Sequence, residues 1–338
     1  MTTVSVGALE SHNPEGPGGD HDAPVEKIAG RSPMQLAMAR FRKDRLSMGA
    51  FVIVAIYLLA AVSAPFLVKL GVLQPLTLHQ DLLDPASGGI PLGKLSGMSW
   101  QHPLGVEPGL GRDVLSRVWL GCTLSLTIAL SATVITVSIG TTLGIISGFA
   151  GGVVDGIVGR LIDLVLSFPL TLMLLALSGV AVAFLTDTLH VPAGDTANGL
   201  YVILVLALFG WPPIARLMRG QVLSIREREF VDAAVLIGAS RTRIYFKEIL
   251  PNLWAPLLVY FTLTMPAYIS AEAALAYLGV GIKPPTPTLG NVLTDSINYS
   301  TADPLFFFAP ALAIATIVVA FNLLGDGLRD ALDPKGAR

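Results

Sequence analysis

Six stretches of about twenty residues or more, at 46–68, 120–149, 161–184, 200–218, 254–278 and 305–325, carry almost no charge, and they limit what this chain can become more than any other feature. A helix of about 20 residues crosses the ~30 Å hydrocarbon core of a bilayer. Hydrocarbon offers no partner to a peptide group, so a crossing segment must satisfy its own backbone hydrogen bonds, and a helix does so. Composition agrees: 53% of the 338 residues are hydrophobic and 14% charged, where a soluble domain carries about 25% charged residues. That excess is too large for one water-soluble core. The expected fold is an all-α membrane protein with six transmembrane helices, in one domain over 36–338 with modest loops.

The remaining charges set an orientation. Arg40, Arg42, Lys43 and Arg45 stand just before the first span, and a basic cluster there holds the N-terminus on the cytoplasmic side. Six spans return the C-terminus to the same side. With that topology, 17 of the 22 Lys and Arg residues fall in cytoplasmic segments and 5 in external ones, the bias of the positive-inside rule. Residues 1–35 hold Gly16, Pro17, Gly18 and Gly19 and show no apolar period, so they bury too little to offset ordering entropy and read as a disordered cytoplasmic tail. A basic start, a short apolar run and a small-residue cleavage site are missing, so the first span is expected to be retained.

Several chemistries lack their residues. A net charge of −2 provides no basic surface for nucleic acid. Cys122 is the single cysteine, which excludes an internal disulfide, and no Cys or His spacing suits zinc. Gly93-Lys94 is followed by Leu95, outside any G-x-x-x-x-G-K-[ST] frame, so the loop that would cradle nucleotide phosphates is absent and no cofactor of this chain's own is expected. No Ser, His and Asp arrangement appears. The five His residues fall in the tail or external loops, where solvated surface is the default.

Three ionisable residues fall in or beside the spans. Asp163 and Asp326 lie near cytoplasmic ends and are expected to be interfacial or paired, whereas Glu272 lies deeper and is expected to face a cavity between the spans. Gly140, Gly144, Gly148 and Gly152 recur every four residues and so share one helix face, a seam for close approach, more plausibly to a helix of this chain than to a partner's. In the external loop 69–119, Leu110 to Arg117 reads as a turn into a short interfacial helix, covering the pathway mouth or capping the helices. Arg112 and Asp113 are neighbours that can instead pair with local groups, and an exposed pair would contribute about 0–1 kcal/mol.

The cytoplasmic loop 219–253 carries the most information. Glu229 to Ser240 reads as a short helix that Gly238 ends in the left-handed conformation, and a second helix follows until Pro251. Ala233, Ala234 and Ile237 are placed on one face. An apolar face flanked by charge requires something to dock against, such as a partner's groove.

This segment resembles the EAA loop of ABC importer permeases, whose pattern is Glu-Ala-Ala, three residues, Gly, nine residues, then Ile-x-Leu-Pro. Asp232-Ala233-Ala234, Gly238 and Leu250-Pro251 match at that spacing; Asp232 replaces the leading Glu, and Glu248 occupies the Ile position. Glu272-Ala273-Ala274 spells the tripeptide literally but lacks the Gly spacing and the Leu-Pro end. His102 to Gly105, Leu110 to Arg117, Ser167-Phe168-Pro169, Arg219 to Ser224, Pro284 to Pro287 and Phe321 to Pro334 follow in order. Over 36–334 the chain resembles the second permease of the dipeptide, oligopeptide and nickel importer group.

The resemblance implies a type I ABC importer permease fold with cytoplasmic coupling helices in a bacterial plasma membrane. It implies as partners a second related permease, two ATPase subunits that bind ATP and Mg, and an external substrate-binding protein. Dipeptides or short oligopeptides are the implied substrates, with nickel or haem-like compounds as alternatives. Coupling falls to Asp232, Ala233, Ala234, Ile237, Gly238, Leu250 and Pro251, and the pathway to Glu272. An ion-coupled secondary transporter would need midplane carboxylates or interrupted spans, and a membrane enzyme a catalytic pair within spans; the sequence is poor in both.

Overall fold

A computed structural model describes residues 33–93 and 95–332. Most of the expected tail thus lies outside the described residues, and its last residues open a helix, α1, Pro33–Lys43. The next helix, α2, Arg45–Lys69, starts where the Asp44 carboxylate accepts the amides of Leu46 and Ser47 at 3.1 and 3.2 Å. Such a side chain satisfies amides that have no partner within the helix. α2 is apolar on every side and only 11% of its span window is buried, which makes it a rod facing hydrocarbon.

Residues 70–113 form a cap with a minimal antiparallel hairpin, β1 (Leu83–Asp84) on β2 (Ile90–Pro91). From it rises α3, Val114–Ala150, 37 residues long. The separate interfacial helix expected near 110–117 does not exist. Asp113 caps α3 directly, Oδ2 accepting the Ser116 amide at 2.7 Å, and nothing beyond it interrupts the helix, so Leu115 to Trp119 are its first turns.

Beyond α3 come α4 (Gly152–Leu166), α5 (Leu170–Ala176), α6 (Ser178–Ala183), a wide turn over Phe184–Thr188, and α7 (Asp195–Ile225). The span expected at 161–184 is broken, since α4 and α5 meet at 73°. Pro169 has no amide hydrogen and disfavours helical geometry at Phe168. Pro212 and Pro213 leave α7 continuous, because α7 is clasped along α3, whereas Leu164, Phe168 and Leu172 stand exposed with nothing to hold the bend straight. Then follow α8 (Glu229–Leu236), α9 (Arg241–Arg243), a wide turn over Ile244–Ile249, a tight turn over Leu250–Asn252, and α10 (Trp254–Tyr277). The chain closes with α11 (Leu289–Ile297) and α12 (Pro304–Leu332). Among the described residues five helices are long and apolar enough to cross a membrane, or six when the bent pair is counted as one span, against the expected six.

α3 is the axis of the bundle. Its most extensive contact is with α7, where a Cβ on Gly140, Gly144 or Gly148 would come within 2.8, 2.7 or 2.9 Å of Ile214, Met218 or Val222. Those distances allow no side chain, so the seam is an intrachain one, with both helices contributing every fourth residue. Gly152 is not part of it: α3 has ended, and Gly151 and Gly152, at φ +62° and +52°, turn the chain into α4. Ala129 and Ala132 of α3, Leu206 of α7, Ile269 of α10 and Ile317 of α12 meet in the core.

Candidate coupling site

The loop from α8 to the start of α10 is a folded unit. Gly238 has φ +82°; its amide donates to Val235 O at 2.9 Å, and the Ala239 amide donates to Ala234 O at 3.0 Å. This is the Schellman ending, and its usual hydrophobic contact is present because Ala234 and Ala239 both pack on the apolar cluster beneath. The Ser240 hydroxyl accepts the Arg243 amide at 3.3 Å and starts the second helical piece. Leu250 and Pro251 form the tight turn that delivers the chain to α10.

That cluster joins the loop to the bundle. Val231 of α8 is buried with Ile244, Ile249 and Leu253, and with Ile214, Met218 and Val222 of α7. The three α7 residues are the ones that line the glycine seam, so a push on α8 reaches α3 through two layers of close packing. Phe149 of α3 meets Tyr245 edge to face with centroids 5.4 Å apart, and Arg226 donates to Gly148 O at 3.0 Å. Arg219 holds Asp155 of α4 with bonds of 2.5 and 2.6 Å.

The expected docking face is rearranged. Ala234 turns inward with Val231, whereas Asp232, Ala233 and Leu236 point outward together. Leu236 is 87% exposed and Ile237 84% exposed, so the tip of α8 presents large aliphatic side chains with no partner among the described residues. Leu236 went unrecognised from sequence because the matched pattern leaves that position free; the helical spacing from Asp232 would have found it. Above the loop, Ser138, Thr141 and Thr142 of α3, with Tyr245, Leu257 and Phe261, line a cleft of about 570 Å³.

Glu272 is not in that cleft. It is buried where α3, α10 and α11 meet, accepting the Ser125 hydroxyl at 2.8 Å, with Thr288 and Gly290 as further donors. Ser125 in turn accepts the Leu289 amide at 3.0 Å. Gly290 lacks a side chain for a reason: a Cβ there would stand 2.7 Å from the Ala273 Cα. Glu272→Ala is expected to lower stability by about 1–3 kcal/mol, the cost of leaving buried donors unpaired, and Glu272→Gln by less. Thermal unfolding in detergent measures both, and a Gln variant of full stability with altered uptake would return the residue to the pathway. Asp163 pairs with Arg216 at 2.6 Å on the surface, and Asp326 is exposed.

At the other end of α3 lies a site the sequence reading missed. Arg112 and Asp113 are buried rather than exposed, and both pair with local groups. Arg112 donates to both oxygens of Glu107 at 2.7 and 2.6 Å. Arg117, fully buried, donates to Asp295 of α11 at 3.3 Å, and its Nε stands 3.3 Å from Glu107 without the alignment to donate. Burial pushes the Asp295 carboxyl up from its ordinary range, with Arg117 opposing. His102, expected on the surface, is buried with Nδ1 2.9 Å from Asp113. Among the described residues no group of three or more His, Cys, Asp or Glu side chains is placed to hold a metal ion.

Comparison with known proteins agrees with this architecture. Residues 140–337 match the family model described as binding-protein-dependent transport system inner membrane component, and residues 32–85 match the N-terminal TM domain of oligopeptide transport permease C. The oligopeptide transport system permease protein OppC of Bacillus subtilis is 34% identical over 300 residues, 88% of each chain. The dipeptide transport system permease protein DppC of Alkalihalophilus pseudofirmus is 32% identical over 99% of each chain. The glutathione transport system permease protein GsiD of Salmonella paratyphi A is 43% identical over 240 residues, 71% of this chain and 74% of the relative. Among solved structures, an inward-facing form of the MetNI methionine ABC transporter has the same fold, with TM-score 0.52 at 18% identity over 65% of this chain and 96% of that one.

Proposed function

Because this chain belongs to the binding-protein-dependent transport system inner membrane components, we propose that it is the permease subunit of an ABC importer for dipeptides or short oligopeptides and forms half of the translocation pathway. The full-length relatives are named for oligopeptides, dipeptides and glutathione, itself a tripeptide, which favours a peptide over nickel or haem. A second, related permease completes the pathway, two ATPase subunits that bind ATP and Mg supply the energy, and an external binding protein delivers the peptide. The cleft above the coupling loop, with its α3 hydroxyls, is this chain's share of the route.

One observation carries the reading. The tip of α8 bears exposed Leu236 and Ile237 on a frame locked by Gly238 and backed by α7, a shape suited to a groove on a motor subunit. Asp232, Ala233, Ala234, Ile237, Gly238, Leu250 and Pro251 act as the coupling residues, with Ala234, Gly238, Leu250 and Pro251 shaping the loop and the others meeting the ATPase. The bias of basic residues supports a cytoplasmic position for this loop and both termini, and the bacterial relatives support a bacterial plasma membrane.

The test is reconstitution in vesicles. ATPase subunits should co-purify with this chain, and dipeptide uptake should require internal ATP and the binding protein. Uptake by the purified chain alone, driven by an imposed ion gradient, would refute the reading.

A further inference from the structure

At the end of the bundle that carries α1, a furrow of about 500 Å³ runs between α1, α2, α10 and α12, walled by Phe41, Met48, Phe51, Leu258, Leu324 and Leu328, with Arg42 on its rim. We propose that this furrow binds an acyl chain of an anionic membrane phospholipid whose phosphate rests on Arg42 and Lys43. This inference does not depend on what the permease carries.

Three observations support it. First, the furrow is built. A Cβ on Gly327 of α12 would lie 1.8 Å from the Ser47 hydroxyl oxygen and 3.5 Å from the Phe41 ring, so α12 touches the start of α2 while α1 folds back over both. Phe41 and Phe51 meet edge to face at 6.4 Å and form one wall. Its volume is within the ~300–1,000 Å³ of small-molecule sites, and its lining suits hydrocarbon.

Second, charge is arranged at its mouth. Arg42, Lys43 and Arg45 are exposed and make no ion pair among the described residues. The intervening acid, Asp44, is exposed as well, but its carboxylate is engaged by the Leu46 and Ser47 amides. Three cations against one carboxylate already engaged by backbone amides leave the junction net positive.

Third, the position is right for a lipid. α1 is amphipathic, with Ala37 and Phe41 buried and basic residues in its last turn, and it joins the end of a span where headgroups lie. Each Lys or Arg near an anionic surface contributes about a fivefold preference.

Full-length protein, extracted from vesicles of phosphatidylcholine doped with phosphatidylglycerol, is examined by native mass spectrometry. Phosphatidylglycerol should be retained in preference to phosphatidylcholine. Arg42→Gln with Lys43→Gln should lower its retention about fivefold for each charge removed, and Leu328→Trp, which fills the furrow at unchanged charge, should lower it as well. Arg241→Gln with Arg243→Gln, remote from the furrow, should change nothing. Wild-type retention in a folded Leu328→Trp protein, or equal loss from the remote pair, overturns the proposal. Should Leu328→Trp fail to fold, wild-type protein and a phosphatidylglycerol with a photoreactive acyl chain decide it. Label on Phe41, Phe51 or Leu258 supports the site, and label confined to Leu59 and Val62 on the outer face of α2 refutes it.

Discussion

Leu236→Asp together with Ile237→Asp should abolish ATP-driven uptake while leaving insertion and folding intact. Both side chains are more than four-fifths exposed, so their loss removes little intrachain packing, and exposed substitutions change stability by about 0.5 kcal/mol or less. At an interface, by contrast, a large apolar anchor in a groove contributes about 2 kcal/mol or more, and a desolvated carboxylate adds a further cost. Association with the ATPase subunits should fall by roughly 30-fold or more, read by co-purification, with peptide uptake and its coupling to ATP hydrolysis measured on the same vesicles. Wild-type coupling in the double variant would dismiss α8 as the docking element. Ala234→Arg, which the sequence pattern alone suggests for this purpose, is a poorer probe. Ala234 packs on the cluster around Val231 and Ile249, so an arginine there would deform the loop and confound docking with folding.

Arg117→Ala should be the most destabilising single change at the capped end. Its guanidinium is fully buried and lies between Glu107 and Asp295, with a further bond to Pro285 O at 3.4 Å. Removing one partner of such a set strands the others without water, at a cost of about 3–5 kcal/mol. The exposed Asp163–Arg216 pair, though its N···O distance of 2.6 Å is shorter, should contribute only about 0–1 kcal/mol, because water screens both charges. Thermal unfolding of the two variants in detergent gives the comparison directly. Proteolysis should also cut 70–113 in Arg117→Ala before it cuts the bundle, since Arg117 ties that cap, through Glu107, to α3 and α11. Equal melting temperatures for Arg117→Ala and Asp163→Ala would show that the buried set carries no such load.

Much of this was legible in the sequence. Span number and span type follow from runs of residues whose transfer into hydrocarbon is favourable one by one, a sum taken along the chain that needs no knowledge of neighbours. The shape of the loop 229–253 was legible for a related reason: Gly238 and Pro251 act on their own backbone, so their spacing specifies a helix, a turn and a stop. Where the reading failed, the outcome depended on a contact that exists only after folding. Pro169 breaks its helix although Pro212 and Pro213 do not break theirs, because α7 is packed along α3 while the bend at Pro169 is exposed. Arg112, Asp113 and His102 look like loop residues until Glu107 and the cap fold over them, and Arg117 is completed by Asp295 from the far side of the chain. Glu272, conspicuous as a carboxylate in an apolar run, is a pin between helices because Ser125, Thr288 and Gly290 converge on it.

The amino-acid sequence by itself determined that the chain is a multi-span helical membrane protein, which way its charge bias points, and where a short loop folds as two helical pieces about Gly238. Those properties depend on hydropathy, charge and local backbone preference, which act residue by residue. Only the tertiary structure decided which face of α8 points outward, which glycines form the seam, and which charges are buried. Each of these depends on which groups approach within a few ångströms after folding, and burial changes the energy of a charge or a methyl group far more than its identity does.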